Sequence, residues 1–137
     1  MGLRAHPVVM LHHLELWVTE LDPSIASLGW LLTRMGYRQS ARWSDGISYQ
    51  HGDFYIVLES GPDLQAGAHE RRRPGLNHLA FRLESRDLVD AVTAEALSHG
   101  FKLMFADKHP HAGGEQHYAS YLEDAAGFEV ELVAAGP

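Results

Sequence analysis

Ten histidines in 137 residues are the part of this chain best able to do chemistry, and two of them recur in matching surroundings. Leu11-His12-His13-Leu14-Glu15-Leu16 reads in register against Leu76-Asn77-His78-Leu79-Ala80-Phe81, which sets His13 and His78 65 residues apart. Each half then closes on an apolar run ending in glutamate, FYIVLE at Glu59 and FEVEL at Glu131. Two neutral imidazoles and two carboxylates suit one divalent first-row cation, whose charge the carboxylates balance. Taken singly, each of the four also reads as an ordinary polar side chain on a strand, solvated or bonded to backbone. Repetition is what groups them.

Such a set needs elements that aim its members at one place. Residues 11–18 and 76–83 have β-type composition between turn residues. Side chains alternate along a strand, so His13, Glu15 and Trp17 share one face, as do His78, Ala80 and Arg82. Glu59 shares a face with Val57 and Tyr55, and Glu131 with Glu129 and Val133. The opposite faces, with Leu14, Leu16, Leu79 and Phe81, are apolar and suited to packing on helices. The first helix is expected over 23–35, with Asp22 as cap, Pro23 in its first position and Gly36 as stop. The second is expected over 86–99, between Ser85 and Gly100. Short strands follow each helix, at about 37–43, 47–51 and 54–59, then at about 101–106, 117–123 and 128–133. The expected class is α+β: two βαβββ modules with helices on the outer face. One domain then spans 1–137, with module one at about 9–60, a linker loop at about 60–75 and module two at about 76–134.

Composition narrows the function classes. An excess of 18 acidic over 11 basic residues, a formal charge of −7, disfavours nucleic-acid binding, which depends on cationic side chains. The absence of cysteine excludes disulfide scaffolds, thiolate metal sites and cysteine nucleophiles. No apolar stretch approaches the length that spans a bilayer, and the apolar run in MGLRAHPVVML is too short for a signal-peptide core. A cytoplasmic protein without a membrane partner is expected.

The repeat, together with LHHLELWV, GLNHLAF and GFEVEL, resembles the vicinal oxygen chelate superfamily, which includes glyoxalase I, extradiol dioxygenases, fosfomycin-resistance proteins and bleomycin-binding proteins. The resemblance runs over nearly the whole chain. It implies that the two βαβββ sheets form a cup around one divalent metal ion (Zn, Ni, Co, Mn or Fe), held by His13, Glu59, His78 and Glu131. His12 falls one place off the pattern. The implied activity is glyoxalase-like isomerase or lyase chemistry on a small substrate that chelates the metal through neighbouring oxygens, with Glu59 or Glu131 as general base. Two alternatives stay open: an extradiol-type dioxygenase with a His-His-Glu iron site, and a non-catalytic binder of a small molecule or antibiotic. The family's Asp-Pro-x-Gly turn is Asp124-Ala125-Ala126-Gly127 here, and no glutathione-binding pattern is evident. A homodimer is implied as well, with modules paired within the chain or swapped across the dimer.

Further candidates lie around this set. Lys108–Tyr121 carries His109, His111 and His117, two adjacent glycines and two tyrosines, and reads as a Gly-rich loop entering a strand. From it, His111 and Tyr121 are candidates to meet a substrate, Tyr121 also as a catalytic group. Arg82 is a candidate for a substrate carboxylate, or for pairing with an acid such as Glu15. Trp43 and Tyr49 are candidates to line the cup. Arg71-Arg72-Arg73 reads as a solvated loop, and His6, His51, His69 and His99 as surface histidines.

Overall fold

The computed structural model describes residues 9–136. Eight strands form two four-stranded sheets of identical topology. In the first, β1 (His13–Trp17), β2 (Arg38–Trp43), β3 (Gly46–His51) and β4 (Phe54–Glu59) are ordered β1-β4-β3-β2. In the second, β5 (His78–Leu83), β6 (Phe101–Leu103), β7 (Ala119–Asp124) and β8 (Glu129–Ala134) are ordered β5-β8-β7-β6. The opening strand of each sheet runs parallel to the closing one, and the other pairings are antiparallel. A helical crossover is what makes that parallel pairing possible, so each half is βαβββ, as the repeat implies.

The crossover of module one is a single helical run, α1, made of Leu21–Ser24, a π-helical turn at Ile25–Gly29, and Trp30–Arg34. It begins earlier than expected: Glu20 holds the cap position without a side-chain cap bond, and Asp22 lies inside the first turn. Pro23 is tolerated there because first-turn amides have no partner in the helix. Leu28, Leu31 and Leu32 are buried on one face. Gly29 lets β3 approach, since a Cβ at that position would stand 2.3 Å from the Tyr49 hydroxyl oxygen. The second crossover, α2 (Arg86–Ala96), is capped by Ser85, whose hydroxyl accepts from the Leu88 amide at 3.0 Å. Its buried positions Val89, Val92, Thr93 and Ala96 follow the helical repeat.

Strand parity holds. Leu16, Leu83, Leu58 and Leu132 join the two helices in one core cluster that draws on both modules, while His13, Glu15, Trp17, Ala80 and Arg82 are exposed on the other faces. A buried contact ties the modules together: Asp124 accepts from the Ser27 hydroxyl on α1 at 3.0 Å. The strand at 101–106 is shorter than expected. Phe105 adopts a left-handed φ of 52°, which ends the extended run. Among the described residues no helix is long and apolar enough to cross a membrane.

Candidate functional site

β8 carries two carboxylates on the face away from the helices. Glu129 is 4% exposed and Glu131 is 5% exposed. The ladder sets Glu129 opposite His78 and Glu131 opposite Ala80 on β5, while on the antiparallel side Glu131 faces Tyr121 of β7. A buried carboxylate must be paired, and Glu131 is paired on both oxygens. Oε1 lies 3.0 Å from His78 Nε2, and Oε2 is in contact with His117 Nε2. Tyr121 stands edge-on to the His78 ring at 6.1 Å, with Phe105 edge-on to Tyr121 at 5.5 Å. Burial first, then the Glu131 charge, pushes the Tyr121 phenol up to about 12, so it is a neutral hydrogen-bond donor at physiological pH.

The Gly-rich loop before β7 packs on this group. A Cβ on Gly113 would meet the His117 ring at 2.5 Å and the Tyr121 hydroxyl at 2.6 Å. The loop backbone therefore reaches the site only because residue 113 has no side chain. His111, the histidine expected here, faces elsewhere: its Nδ1 is 3.3 Å from the His117 carbonyl oxygen and its ring is edge-on to Tyr118. His117 takes the place assigned to it. The signal was available, since His117 shares strand parity with Ala119 and Tyr121.

Module one differs. His13 is exposed, with its ring stacked on Tyr55 at 4.8 Å and its Nδ1 2.9 Å from that of His12. Its ladder partner is Tyr55, just as the partner of His78 is Glu129. Two residues on, Val57 occupies the place that Glu131 holds in module two, and Val57 is 7% exposed. Glu59 lies a further two residues along, opposite Trp17 and beside Gly61, at the other end of the strand from the His13 pairing. The symmetry expected between Glu59 and Glu131 is corrected: the ladder matches Glu131 to Val57 and Glu59 to Val133. Among the described residues no group of three or more His, Asp or Glu side chains is disposed to hold a metal ion, so one chain does not bring the expected four together.

The remaining candidates separate. Tyr49 is 4% exposed in the core, on the helix side of β3, and does not line the cup. Trp43 is 37% exposed, over Gly46, and borders a shallow cleft of about 440 Å³ with Ser48, Tyr55 and Val57. Arg82 is exposed on β5 beside a cleft of about 550 Å³ that includes Tyr37 and His51. Among the described residues Arg82 makes no ion pair with Glu15, whose Oε1 instead accepts from Trp17 Nε1 at 3.5 Å. Arg71 is not merely solvated: it reaches β8, with Nη1 3.3 Å from Glu129 Oε1, and also approaches Glu123. His69 is half-buried, stacked on Phe128 at 4.3 Å, whereas His51 and His99 are exposed as expected and His6 lies outside the described residues.

Comparison with known proteins agrees with this architecture. The family model described as "Glyoxalase/Bleomycin resistance protein/Dioxygenase superfamily" matches residues 12–121. The uncharacterised protein YqjT of Bacillus subtilis (strain 168) is 43% identical over 126 residues, covering 90% of this chain and 98% of its own. The crystal structure of a "putative glyoxalase" from Bacillus halodurans superposes with a TM-score of 0.87 at 44% identity, over 92% of this chain and 96% of that one. A lactoylglutathione lyase from Agrobacterium tumefaciens shares the fold at a TM-score of 0.65 and 19% identity, over 95% and 96% of the two chains.

Proposed function

Because the chain belongs to the glyoxalase/bleomycin resistance protein/dioxygenase superfamily, we propose that it is an enzyme moving a proton on a small substrate with neighbouring oxygens, with its reacting centre at Glu131. The observation that carries this reading is the Glu131 carboxylate, buried, held between His78 and His117, and faced by a neutral phenol. A carboxylate so placed is a general base for a proton next to a carbonyl. Tyr121, still protonated, donates to the oxyanion that forms when that proton leaves. The Gly113 backbone and the Phe105 ring pack against Tyr121.

The donor set around Glu131, imidazole nitrogen with carboxylate oxygen, has the chemistry of a divalent-metal site. His78 and one oxygen of Glu131 would hold the ion, leaving the other Glu131 oxygen to take the proton, and exposed His13 of a second copy of this chain would complete a His-His-Glu set. Bound there, the ion supplies Lewis-acid polarisation of the substrate oxygens. Because Val57 leaves no fourth protein donor in the register of Glu131, the same set also suits oxygen activation with iron, which is the second reading. Titration of the purified protein with Co(II) or Zn(II) tests the centre. One ion per chain is expected, lost in Glu131→Gln and in His78→Ala. Undiminished binding in Glu131→Gln overturns the metal reading. Oxygen uptake by the Fe(II)-loaded protein in the presence of catechols selects the second reading over the first.

A further inference from the structure

His78 is the residue that both readings of the site need, and its second ring nitrogen is already committed. Nδ1 lies 2.6 Å from Asn77 Oδ1. The Asn77 amide cannot turn its nitrogen toward the ring without losing another bond, because its Nδ2 donates to the Arg71 carbonyl at 3.1 Å. Oδ1 is an acceptor only, so the bond to Asn77 forms when Nδ1 of His78 carries the hydrogen. A neutral imidazole has one hydrogen, and the lone pair is then left on Nε2, the atom that faces Glu131 Oε1 at 3.0 Å. That lone pair and the carboxylate oxygen are placed to share a cation, so Asn77 on one side of the ring and Glu131 on the other compete for the single hydrogen.

A second carboxylate lies near Nδ1. Glu129 Oε2 is 3.9 Å away, on a side chain that is 3% exposed, and Glu129 Oε1 has no hydrogen-bond partner. Arg71 approaches that oxygen at 3.3 Å. One linker residue therefore acts twice. Its carbonyl orients Asn77, and its guanidinium faces the buried carboxylate that would otherwise draw on the His78 ring.

We infer that Asn77 and Arg71 form a brace that fixes His78 as the Nδ1–H tautomer and so presents Nε2 to the reacting centre. Asn77 is a positioning residue, and the linker between the modules is part of the site. The inference rests on the reading of Glu131 as that centre, but the tautomer is measurable without metal or substrate. Metal-ligating histidines ordinarily owe their orientation to a partner on the other nitrogen, and losing such a partner costs 10–100-fold in metal affinity.

The test is long-range ¹H–¹⁵N correlation of the His78 ring in the full-length protein, at a pH where the imidazole is neutral, followed by Zn(II) titration. Wild type is expected to show the hydrogen on Nδ1. Asn77→Leu, which keeps the size but removes the acceptor, is expected to shift His78 toward the Nε2–H form that free histidine favours and to weaken zinc binding by about 10–100-fold. Asn77→Asp, which retains an acceptor, is expected to restore the Nδ1–H form, and a merely structural role for Asn77 would not give that rescue. An Nε2–H tautomer in wild type, or an Nδ1–H tautomer in Asn77→Leu, overturns the inference. A wild-type protein that shows the Nδ1–H tautomer but binds no zinc upholds the brace while refuting the metal centre.

Discussion

Val57 of β4 stands where Glu131 stands in β8. Each is two residues beyond the ladder partner of its module's histidine, and each faces the middle of the neighbouring antiparallel strand, Val57 opposite Ser48 and Glu131 opposite Tyr121. The duplication kept the scaffold and changed the chemistry of one copy. Glu59, displaced along β4, is expected to contribute little to the centre. Glu59→Gln should leave zinc affinity and stability within about 0.5 kcal/mol of wild type, as for surface changes away from special features. Calorimetric titration checks this, and a tenfold loss of affinity would return Glu59 to the ligand set.

That displacement marks the boundary of what the sequence discloses. Period-two alternation and paired turn residues were enough to read two βαβββ modules, and parity alone put His13 with Trp17 and His78 with Arg82 on the faces away from the helices. Parity cannot distinguish Val57 from Glu59, because both lie on one face. Their separation is a matter of register between strands, and that depends on loop lengths. Matching Leu58 to Leu132, each completely buried, would have set the register, since it aligns Val57 with Glu131. That His117 rather than His111 meets Glu131 has a different cause. The path of a Gly-rich loop is set by close approach, here Gly113 against Tyr121, and single-strand patterns do not describe it. Arg71 was hidden in a run of three arginines because only the fold shows which of them meets Glu129.

Tyr121 provides a pH signature. Its folded value is raised from 10.0 to about 12, with burial as the first cause and the Glu131 charge as the second. A raised value means that the folded state holds the proton more tightly than the unfolded chain. The stabilisation is therefore fully present below pH 10, and it is lost as pH rises from 10 toward 12. Urea midpoints measured across that range should fall more steeply for wild type than for Tyr121→Phe. Parallel curves would show that neither burial nor Glu131 perturbs the phenol in the folded state.

Asp124 opens the Asp124-Ala125-Ala126-Gly127 turn, and it does what the missing proline does not. It is 5% exposed, its Oδ1 accepts from the amides of Ala126 and Phe128 at 3.0 Å each, and its Oδ2 accepts from Ser27 of the other module. Removing it strands buried donors on both sides, at a cost of 1–3 kcal/mol for an unsatisfied group. Asp124→Ala should lower unfolding free energy by about 3 kcal/mol, and Ser27→Ala by about 1 kcal/mol. Equilibrium urea unfolding gives both values. An equal loss in the two variants would mean that the turn amides do not depend on the carboxylate.

The shared centre can be tested by mixing inactive chains. His13 is exposed on module one, and within one chain no third donor of the expected set joins His78 and Glu131 in a metal-competent group. If a second copy provides His13, then His13→Ala and Glu131→Gln chains should each bind no zinc as pure dimers. In a C2 dimer that contains one chain of each kind, one site collects both substitutions and the other collects neither. Equal amounts of the two variants, unfolded together and refolded, should recover about one quarter of the wild-type zinc sites, because half of the dimers are mixed and each has one intact site. Recovery at that level requires that each centre take residues from two chains. No recovery, with dimers present by sedimentation, would place His13 in the same chain as its centre, whereas zinc binding retained by pure His13→Ala dimers would mean that His13 is not the third donor, and His117, already against Glu131, would be the residue to replace next.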